Sequence, residues 1–361
     1  MDFIYNKKKD RKNEPYIEIN GGKEGVKRLL IPEEIEGIPV KGIGSSAFSR
    51  RKEVEEAVLP PGIYSLGRYA FYNCTGLKKL TLCDGVEDYY DGVIKQCESL
   101  AFVDVHLNME NYTVVKDLLA DNDRTLHFTF YSSIFGGKEK IKLTFPSYVY
   151  DFVEDVEARV LHHKIEGAGY PYRECVTRKG IDFRAYDGLF YQAVTDDRRT
   201  AADIAFDRLM YPYELENGAK ENYEQYLLIS SPWLITELIE ENNFEKISLL
   251  LEQVLVTQDA CQEAIDFSVE KKRVEYTAMF MEYDREHFHR NSQDANWEDS
   301  SSGKSGEDSD ADTDTDSGTD SGIDSDVDSD TDSGADSGAD SSARNHAGNV
   351  GIGLSLELDE W

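Results

Sequence analysis

The sequence predicts an α+β fold: a short solenoid of stacked repeats, an α+β block, an all-α region and an acidic, disordered tail. Three observations lead to this prediction. Apolar residues recur at a constant step between 54 and 105, and a step of about 20 to 30 residues is typical of solenoids. The apolar spacing becomes helical from about residue 200. Between residues 291 and 348 apolar side chains are almost absent, so that segment cannot form a core.

The repeat emerges when residues 54–74 are aligned with residues 77–97. Its apolar positions should stack in a common core: Val54/Leu77/Leu100, Ala57/Leu80/Val103, Leu59/Leu82/Val105, Ile63/Val86 and Leu66/Tyr89. One more copy lies upstream, where Val40, Ile43 and Ala47-Phe48 align with Ile63, Leu66 and Ala70-Phe71. In the third copy Val93-Ile94 replaces Ala-Phe, which indicates a terminal rung.

Residues 31–48 and 59–82 resemble the bacterial BspA-type leucine-rich repeats, also called the Treponema pallidum type. The stretch Leu-Pro-Pro-Gly-Ile-Tyr-Ser-Leu-Gly-Arg-Tyr-Ala-Phe-Tyr-Asn-Cys (59–74) matches that family's unit almost throughout. The resemblance covers residues 29–106. It implies a curved solenoid that binds other macromolecules, often at the cell surface.

These patterns divide the chain into six parts. They are a leader and first strand (1–28), the leucine-rich repeats (29–106), an α+β capping block (107–199), an ankyrin-like helical region (200–290), a disordered Asp/Ser/Gly-rich linker (291–348) and a strand-like terminal peptide (349–361).

The capping block combines helical and alternating patterns. The spacing within 114–119 predicts a helix. Alternating apolar residues in 126–130 and 141–145, around Gly136-Gly137, predict a hairpin. Apolar residues from Val149 to Val160 recur at helical spacing and predict a second helix.

The next region reads as helices throughout. Thr200, Ser231 and Thr257 are each expected to cap the start of a helix, and Pro232 suits the first turn after Ser231. Residues 244–245 and 250–252 (Phe-Glu and Leu-Leu-Glu) match residues 274–275 and 280–282 (Val-Glu and Phe-Met-Glu) at a step of 30. Such helix–turn–helix pairs resemble degenerate ankyrin repeats, although the Thr-Pro-Leu-His signature is absent.

Charge and cysteine content limit the classes of partner. The formal net charge is −32, which argues against nucleic acid or an anionic membrane as the main partner. The Asp-rich runs lack EF-hand spacing and predict only weak adsorption of divalent cations. The five cysteines include no Cys-x-x-Cys motif and no secretory signal is evident, so we expect a cytoplasmic protein without a structural metal or cofactor. Cys74 and Cys97 are expected to be small buried side chains rather than a disulfide.

Two segments are candidates for contact with a partner. Side chains that alternate outward on three successive strands should form one patch: Glu56, Val58, Lys79, Thr81, Phe102 and Asp104. The terminal peptide alternates apolar and small residues before a final tryptophan: Val350, Ile352, Leu354, Leu356, Leu358 and Trp361. This peptide is either a strand that adds to a sheet edge, of a partner or of this chain, or a remnant without a role.

We therefore predict a non-catalytic scaffold for protein–protein contacts. One alternative is a cell-surface adhesin-like protein exported without a classical signal. The other is an enzyme with its site in 107–199, where Glu154, Asp155 and Glu157 lie near His162 and His163. Their spacing indicates no convergent acid–base geometry, and no catalytic residue is assigned.

Overall fold

The structure is a computed structural model that describes residues 2–132, 135, 139–155 and 160–289, of which 151–155 and 160–163 are described by their backbone alone. Strands dominate the first part of the chain. They are β1 Phe3–Lys9, β2 Pro15–Gly22, β3 Arg28–Leu30, β4 Glu34–Ile35, β5 Ile38–Ile43, β6 Glu56–Val58, β7 Ser65–Leu66, β8 Lys79–Cys83, β9 Asp88–Tyr89 and β10 Phe102–His106.

Helices and strands then mix, and the last part is helical. The elements are α1 Thr113–Asp121, β11 Leu126–Tyr131, β12 Lys140–Phe145, β13 Val149–Asp155, β14 Val160–Glu166, α2 Gly169–Glu174, β15 Val176–Thr177, β16 Gly180–Ile181, α3 Phe183–Gly188, α4 Phe190–Asp196, α5 Arg198–Met210, α6 Asn217–Glu240, α7 Phe244–Glu252, α8 Gln258–Glu270 and α9 Val274–His287. The predicted α+β class with a solenoid is confirmed. The acidic linker and the terminal peptide lie outside the described residues.

Two sheets form the sides of the solenoid. One has the order β1-β2-β5-β7-β9, with β4 paired beside β5, and the other has the order β12-β11-β10-β8-β6-β3. In the second sheet β3, β6, β8, β10 and β11 run parallel, while β12 is antiparallel to β11. We call the outward surface of this second sheet the strand face.

The constant step of the sequence repeat is reproduced as strand register. Glu56 pairs with Lys79, which pairs with Phe102, and in the other sheet Ile43 pairs with Leu66. Residues at equivalent steps therefore lie in adjacent layers, so each rung buries the apolar side of its neighbour.

The interior between rungs repeats the same contacts one layer apart. The rings of Phe48 and Phe71 stack with centroids 5.5 Å apart. The thiol of Cys74 donates to the Phe48 carbonyl at 3.0 Å, and that of Cys97 donates to the Phe71 carbonyl at 3.1 Å. All five cysteines are free and buried, which confirms that Cys74 and Cys97 act as small core residues.

The solenoid continues beyond the third rung, so the prediction that this rung is terminal is wrong. Strand β11 pairs in parallel with β10, Phe102 opposite His127. Helix α1 occupies the part of this turn that the Ala-Phe segment fills in earlier rungs. Its last residue, Asp121, accepts hydrogen bonds from the Tyr89 hydroxyl at 2.8 Å and from the Ile94 amide at 3.0 Å. The helix thereby covers polar groups that the third rung would otherwise leave unpaired.

The α1 helix and the antiparallel pairing of β11 with β12 are confirmed, but the helix predicted over 149–160 is wrong. The chain forms a hairpin there, in which Val149 pairs with Glu166 and Asp155 with Val160. The valines that suggested a helical face are β-branched and favour strands. The predicted turn at Gly136-Gly137 and the side chains of His162 and His163 lie outside the described residues.

Two of the three predicted helix starts are wrong. Asp197, not Thr200, caps α5, because its carboxylate accepts the Arg199 and Thr200 amides. Helix α6 runs through Pro232 without a break at Ser231. Proline cannot donate to the carbonyl four residues earlier, and the Ser231 hydroxyl donates to that Leu228 carbonyl at 2.8 Å. Thr257 caps α8 as predicted, by accepting from the Ala260 amide.

The two matching segments of the helical region, which begin at residues 244 and 274, each follow the same kind of turn. Asn242 and Lys272 both have positive φ, at 56° and 58°. In each turn the next amide bonds back to the preceding helix: Asn243 to the Leu238 carbonyl at 2.9 Å and Arg273 to the Ser268 carbonyl at 2.8 Å. The ankyrin-like resemblance of these helices remains a prediction.

Arg173 on α2 joins four segments of the capping block. Its guanidinium is buried and donates to main-chain carbonyls. The acceptors are Leu119 at 3.1 Å, Gly169 at 3.0 Å, Asn122 at 3.2 Å, Arg124 at 2.7 Å, and Pro146. Desolvation lowers the pKa of Arg173 to about 10, so it remains charged at neutral pH. Because five donors in a planar fork match these carbonyls, arginine is specifically suited to this position.

Replacing Arg173 with lysine is expected to destabilise the protein by about 2–4 kcal/mol, because an ammonium can reach at most three acceptors and buried unpaired carbonyls are costly. Urea unfolding of the Arg173→Lys variant measures this loss. The control is Arg178→Lys, whose side chain is 71% exposed. Equal unfolding free energies for the two variants would contradict the assigned role.

Candidate protein-binding face

The six predicted contact residues lie side by side on the strand face. Glu56, Lys79 and Phe102 form one row across β6, β8 and β10, and a second row contains Val58, Thr81 and Asp104. The residues between them on each strand, Ala57, Leu80 and Val103, are fully buried. The alternation read from the sequence therefore places these residues correctly, while their role in binding remains a prediction.

Ion pairs use most of the charge on these rows. Arg28 pairs with Glu56 at 2.7 Å. Lys79 pairs with Asp104 at 2.6 Å, and the Asp104 side chain is only 12% exposed. This hydrogen bond raises the pKa of Lys79. The pairs link neighbouring strands, so their charges are already satisfied before any partner arrives.

Phe102 provides the aromatic surface of the face. It is 52% exposed, and its ring stacks on that of His127 with centroids 5.4 Å apart. At the other end of the same two strands, His106 stacks on Tyr131 at 4.8 Å. Exposed aromatic rings are frequent anchors in protein interfaces.

The patch predicted from the sequence does not include the part of the strand face that β11 and β12 contribute. Its outward residues are His127, Thr129, Tyr131, Lys140 and Lys142. The signal was present, because these residues alternate with the buried Leu126, Phe128 and Phe130. However, the sequence separation between Phe102 and His127 is longer than that between Lys79 and Phe102. The alternation in β11 therefore predicts a hairpin but does not by itself indicate another repeat.

Helices α5 and α7 form a wall beside the last strands. Between this wall and the strand face lies an open groove of about 410 Å³. Arg199 and Lys246 both contribute to the wall, but carboxylates neutralise them. Arg199 bonds Glu237 at 3.0 Å and Glu241 at 2.8 Å, and Lys246 bonds Asp203 at 2.5 Å.

A hydrogen-bonded chain joins the wall to the sheet. The Thr144 hydroxyl donates to the Asp207 carboxylate at 2.7 Å, and lies 2.8 Å from Nδ1 of His127. With the hydroxyl proton directed to Asp207, the His127 Nδ1–H must donate to Thr144. Desolvation lowers the pKa of His127 and raises that of Asp207 to about 6. Perturbed groups that meet in a groove are often functional.

The arrangement positions a histidine rather than activating a nucleophile. Thr144 is fully buried, and its hydroxyl takes part in both hydrogen bonds, so it cannot approach a substrate. Within the described ranges, no cluster of three or more His, Cys, Asp or Glu side chains has metal-binding geometry. In the same ranges, no helix is both long and apolar enough to cross a membrane.

Residues 32–136 match the family model of the BspA-type leucine-rich repeat region in six copies. This stretch is a BspA-type leucine-rich repeat region. It extends past residue 106, the predicted end of the repeats, and includes β11, in agreement with the parallel pairing of β10 and β11. The groove thus lies where the leucine-rich repeat region meets the helices.

Solved bacterial leucine-rich repeat proteins are similar to this region over part of their length. A T. pallidum protein is 24% identical over 28% of this chain and 50% of its own, with a TM-score of 0.26. One from Bacteroides ovatus is 23% identical over 29% and 30%, with a TM-score of 0.26. A leucine-rich cell surface protein from Faecalibacterium prausnitzii is 24% identical over 29% and 32%, with a TM-score of 0.24. This chain thus spans half or less of these three proteins. The comparison with curated proteins gave no match.

The raised pKa of Asp207 predicts a pH-dependent effect of the Asp207→Asn substitution. The folded protein holds the proton more tightly than the unfolded chain, so this group contributes stability below about pH 4 and loses it as the pH rises through about 6. The Asp207→Asn variant has no carboxyl group to titrate at this position, so it does not lose this stability as the pH rises. Its stability relative to the wild type should therefore increase by about 1 kcal/mol between pH 5 and pH 7.5.

Urea unfolding at several pH values in that interval measures the difference. Asp259→Asn, on the exposed side of α8, controls for the loss of one negative charge. A constant difference between Asp207→Asn and wild type across the interval would show that Asp207 is not desolvated in the groove.

Proposed function

We propose that this protein is a non-catalytic scaffold that binds other proteins on its strand face. The half-exposed ring of Phe102, at the end of the row that contains Glu56 and Lys79 and beside the groove, is the observation that carries the proposal. Leucine-rich repeats generally serve as binding scaffolds, and the repeat region here supports the same use.

The composition of the strand face is that of an interface with modest binding affinity. The charged side chains on β3, β6, β8 and β10 pair with each other, so they give polarity and orientation without leaving buried charges to desolvate. The exposed aromatic rings supply the apolar contact. We further propose that the scaffold acts in the cytoplasm, where five free thiols remain reduced.

Substituting Phe102 tests the face. Phe102→Thr keeps a strand-favouring residue at this position, so the melting temperature should hardly change, whereas loss of an aromatic anchor should weaken partner capture by at least about tenfold. Affinity purification from the native cell, followed by quantitative mass spectrometry, compares the captured proteins.

Tyr191→Thr is the matched control, since Tyr191 is 78% exposed on α4. Phe102 is preferable to Lys79 as a single target, because removal of Lys79 would leave the nearly buried Asp104 carboxylate without its cation. If Phe102→Thr captures the same proteins in the same amounts as the control, the strand face is not the binding surface.

A further inference from the structure

The corner of the strand face formed by His106, Tyr131, Lys140, Lys142 and Tyr211 is chemically distinct from the rest. Strands β10, β11 and β12 supply the first four residues, and Tyr211 follows the end of α5. Tyr131 lies opposite Lys140 and stacks on His106. We call these five residues the lysine corner.

Lys140 and Lys142 in the lysine corner form no ion pair within the described part of the chain, although Glu245 accepts from the Tyr211 hydroxyl at 2.8 Å and Lys142 lies near enough to Asp207 to act on it electrostatically. Of the four Lys and Arg side chains on the outward rows of the strand face, Arg28 and Lys79 pair with carboxylates. The ammonium groups of Lys140 and Lys142 instead lie over one ring, that of Tyr211, at 5.1 and 4.7 Å from its centroid. Among the described residues, no carboxylate lies within ion-pair distance of either lysine.

Two ammonium groups that share one aromatic ring repel each other, and a negative group between them would relieve that repulsion. The chain has a formal net charge of −32, whereas this end of its proposed binding face carries two cations over one ring. Charge complementarity therefore favours a ligand with carboxylates at this corner.

The positions of two aromatic stacks on the strand face indicate the length and conformation of the ligand. The Phe102–His127 stack lies at the start of β10 and β11, and the His106–Tyr131 stack lies at the end of the same strands. The two stacks are four residues apart along these strands, which corresponds to about 13 Å in an extended chain. A short extended peptide spans it and can contact both stacks.

We propose that the lysine corner binds an extended acidic segment of a partner protein, with its carboxylates at Lys140 and Lys142 and an apolar side chain on Phe102. The inference rests on the proposed protein-binding function of the strand face and adds the chemistry of the partner. Arg28 and Lys79 on the earlier strands already pair with carboxylates of this chain. Acidic residues of a partner are therefore expected to bind at Lys140 and Lys142.

Fluorescence polarisation with labelled peptides and the full chain tests the inference. The probe is Gly-Ser-Glu-Glu-Phe-Glu-Ser-Gly, compared with versions in which glutamine or lysine replaces every glutamate and one in which serine replaces phenylalanine. We expect saturable binding of the acidic peptide at concentrations up to about 1 mM, and binding at least tenfold weaker for each of the other three.

The protein variant is Lys140→Gln with Lys142→Gln, which should weaken the acidic peptide about tenfold. Its matched control is Lys271→Gln with Lys272→Gln, which removes the same charge from the helical region and should bind as the wild type does. Circular dichroism melting of both variants checks that they are folded.

Several results would overturn the inference. They are no saturable binding of the acidic peptide, equal binding of the glutamine peptide, tighter binding of the lysine peptide, or equal losses in the two lysine variants. Binding of vesicles with anionic lipid, without binding of the peptide, would also overturn it. If Phe102→Thr still abolishes capture while these outcomes occur, the scaffold proposal holds and only the acidic-partner inference fails.

Discussion

Hydrogen bonding between equivalent positions of successive rungs is the constraint on which this structure depends. A single rung is too short to bury its own apolar side chains, so it is stable only against a neighbour in register. The pairing of Glu56 with Lys79 and of Lys79 with Phe102 aligns Ala57, Leu80 and Val103 in one buried column. The same register brings Phe48 over Phe71 and repeats the thiol–carbonyl bond of Cys74 at Cys97.

A stack of this kind leaves open ends, and the chain closes them in different ways. At the beginning, β1 pairs with β2, and its lysines form surface ion pairs: Lys7 with Glu36 and Lys8 with Glu18. Such charges discourage another strand from adding to an edge. At the other end α1 covers the third rung, and β12 returns antiparallel along β11. Arg173 then ties these closing segments together through their carbonyls.

The closing of the second end also creates the functional candidate. Helix α5 packs on β12, and the chain from Asp207 through Thr144 to His127 connects it to the sheet. The wall that results adds a groove beside the last strands, so the two ends of the strand face differ in character. Ion pairs occupy the early rungs, whereas aromatic rings and two lysines that lie over Tyr211 occupy the last strands. Specific recognition is therefore expected where the repeats end.

The sequence by itself determined the features that depend on local periodicity. The rungs, the inward and outward alternation of residues such as Leu80 and Lys79, the buried cysteines, the α1 helix and the cap at Thr257 follow from spacing, because each needs only the neighbouring residues or an identical step. Sequence rules failed where a hydrogen bond or a strand pairing that the apolar spacing does not show changed the balance. Pro232 is tolerated inside α6 because the Ser231 hydroxyl replaces the missing amide, and Val149–Asp155 and Val160–Glu166 form strands that pair with each other.

Only the tertiary structure decided that β11 joins the repeat sheet and that α5 and α7 lie beside the last strands of that sheet. The longer step from Phe102 to His127 and the insertion of α1 hide the fourth rung from a search for equal spacing. His127, Thr144 and Asp207 are separated by 17 and 63 residues, and no local pattern connects them. They meet because the packing of a helix on a strand depends on the shape and burial of whole surfaces, which neighbouring residues in the sequence do not encode.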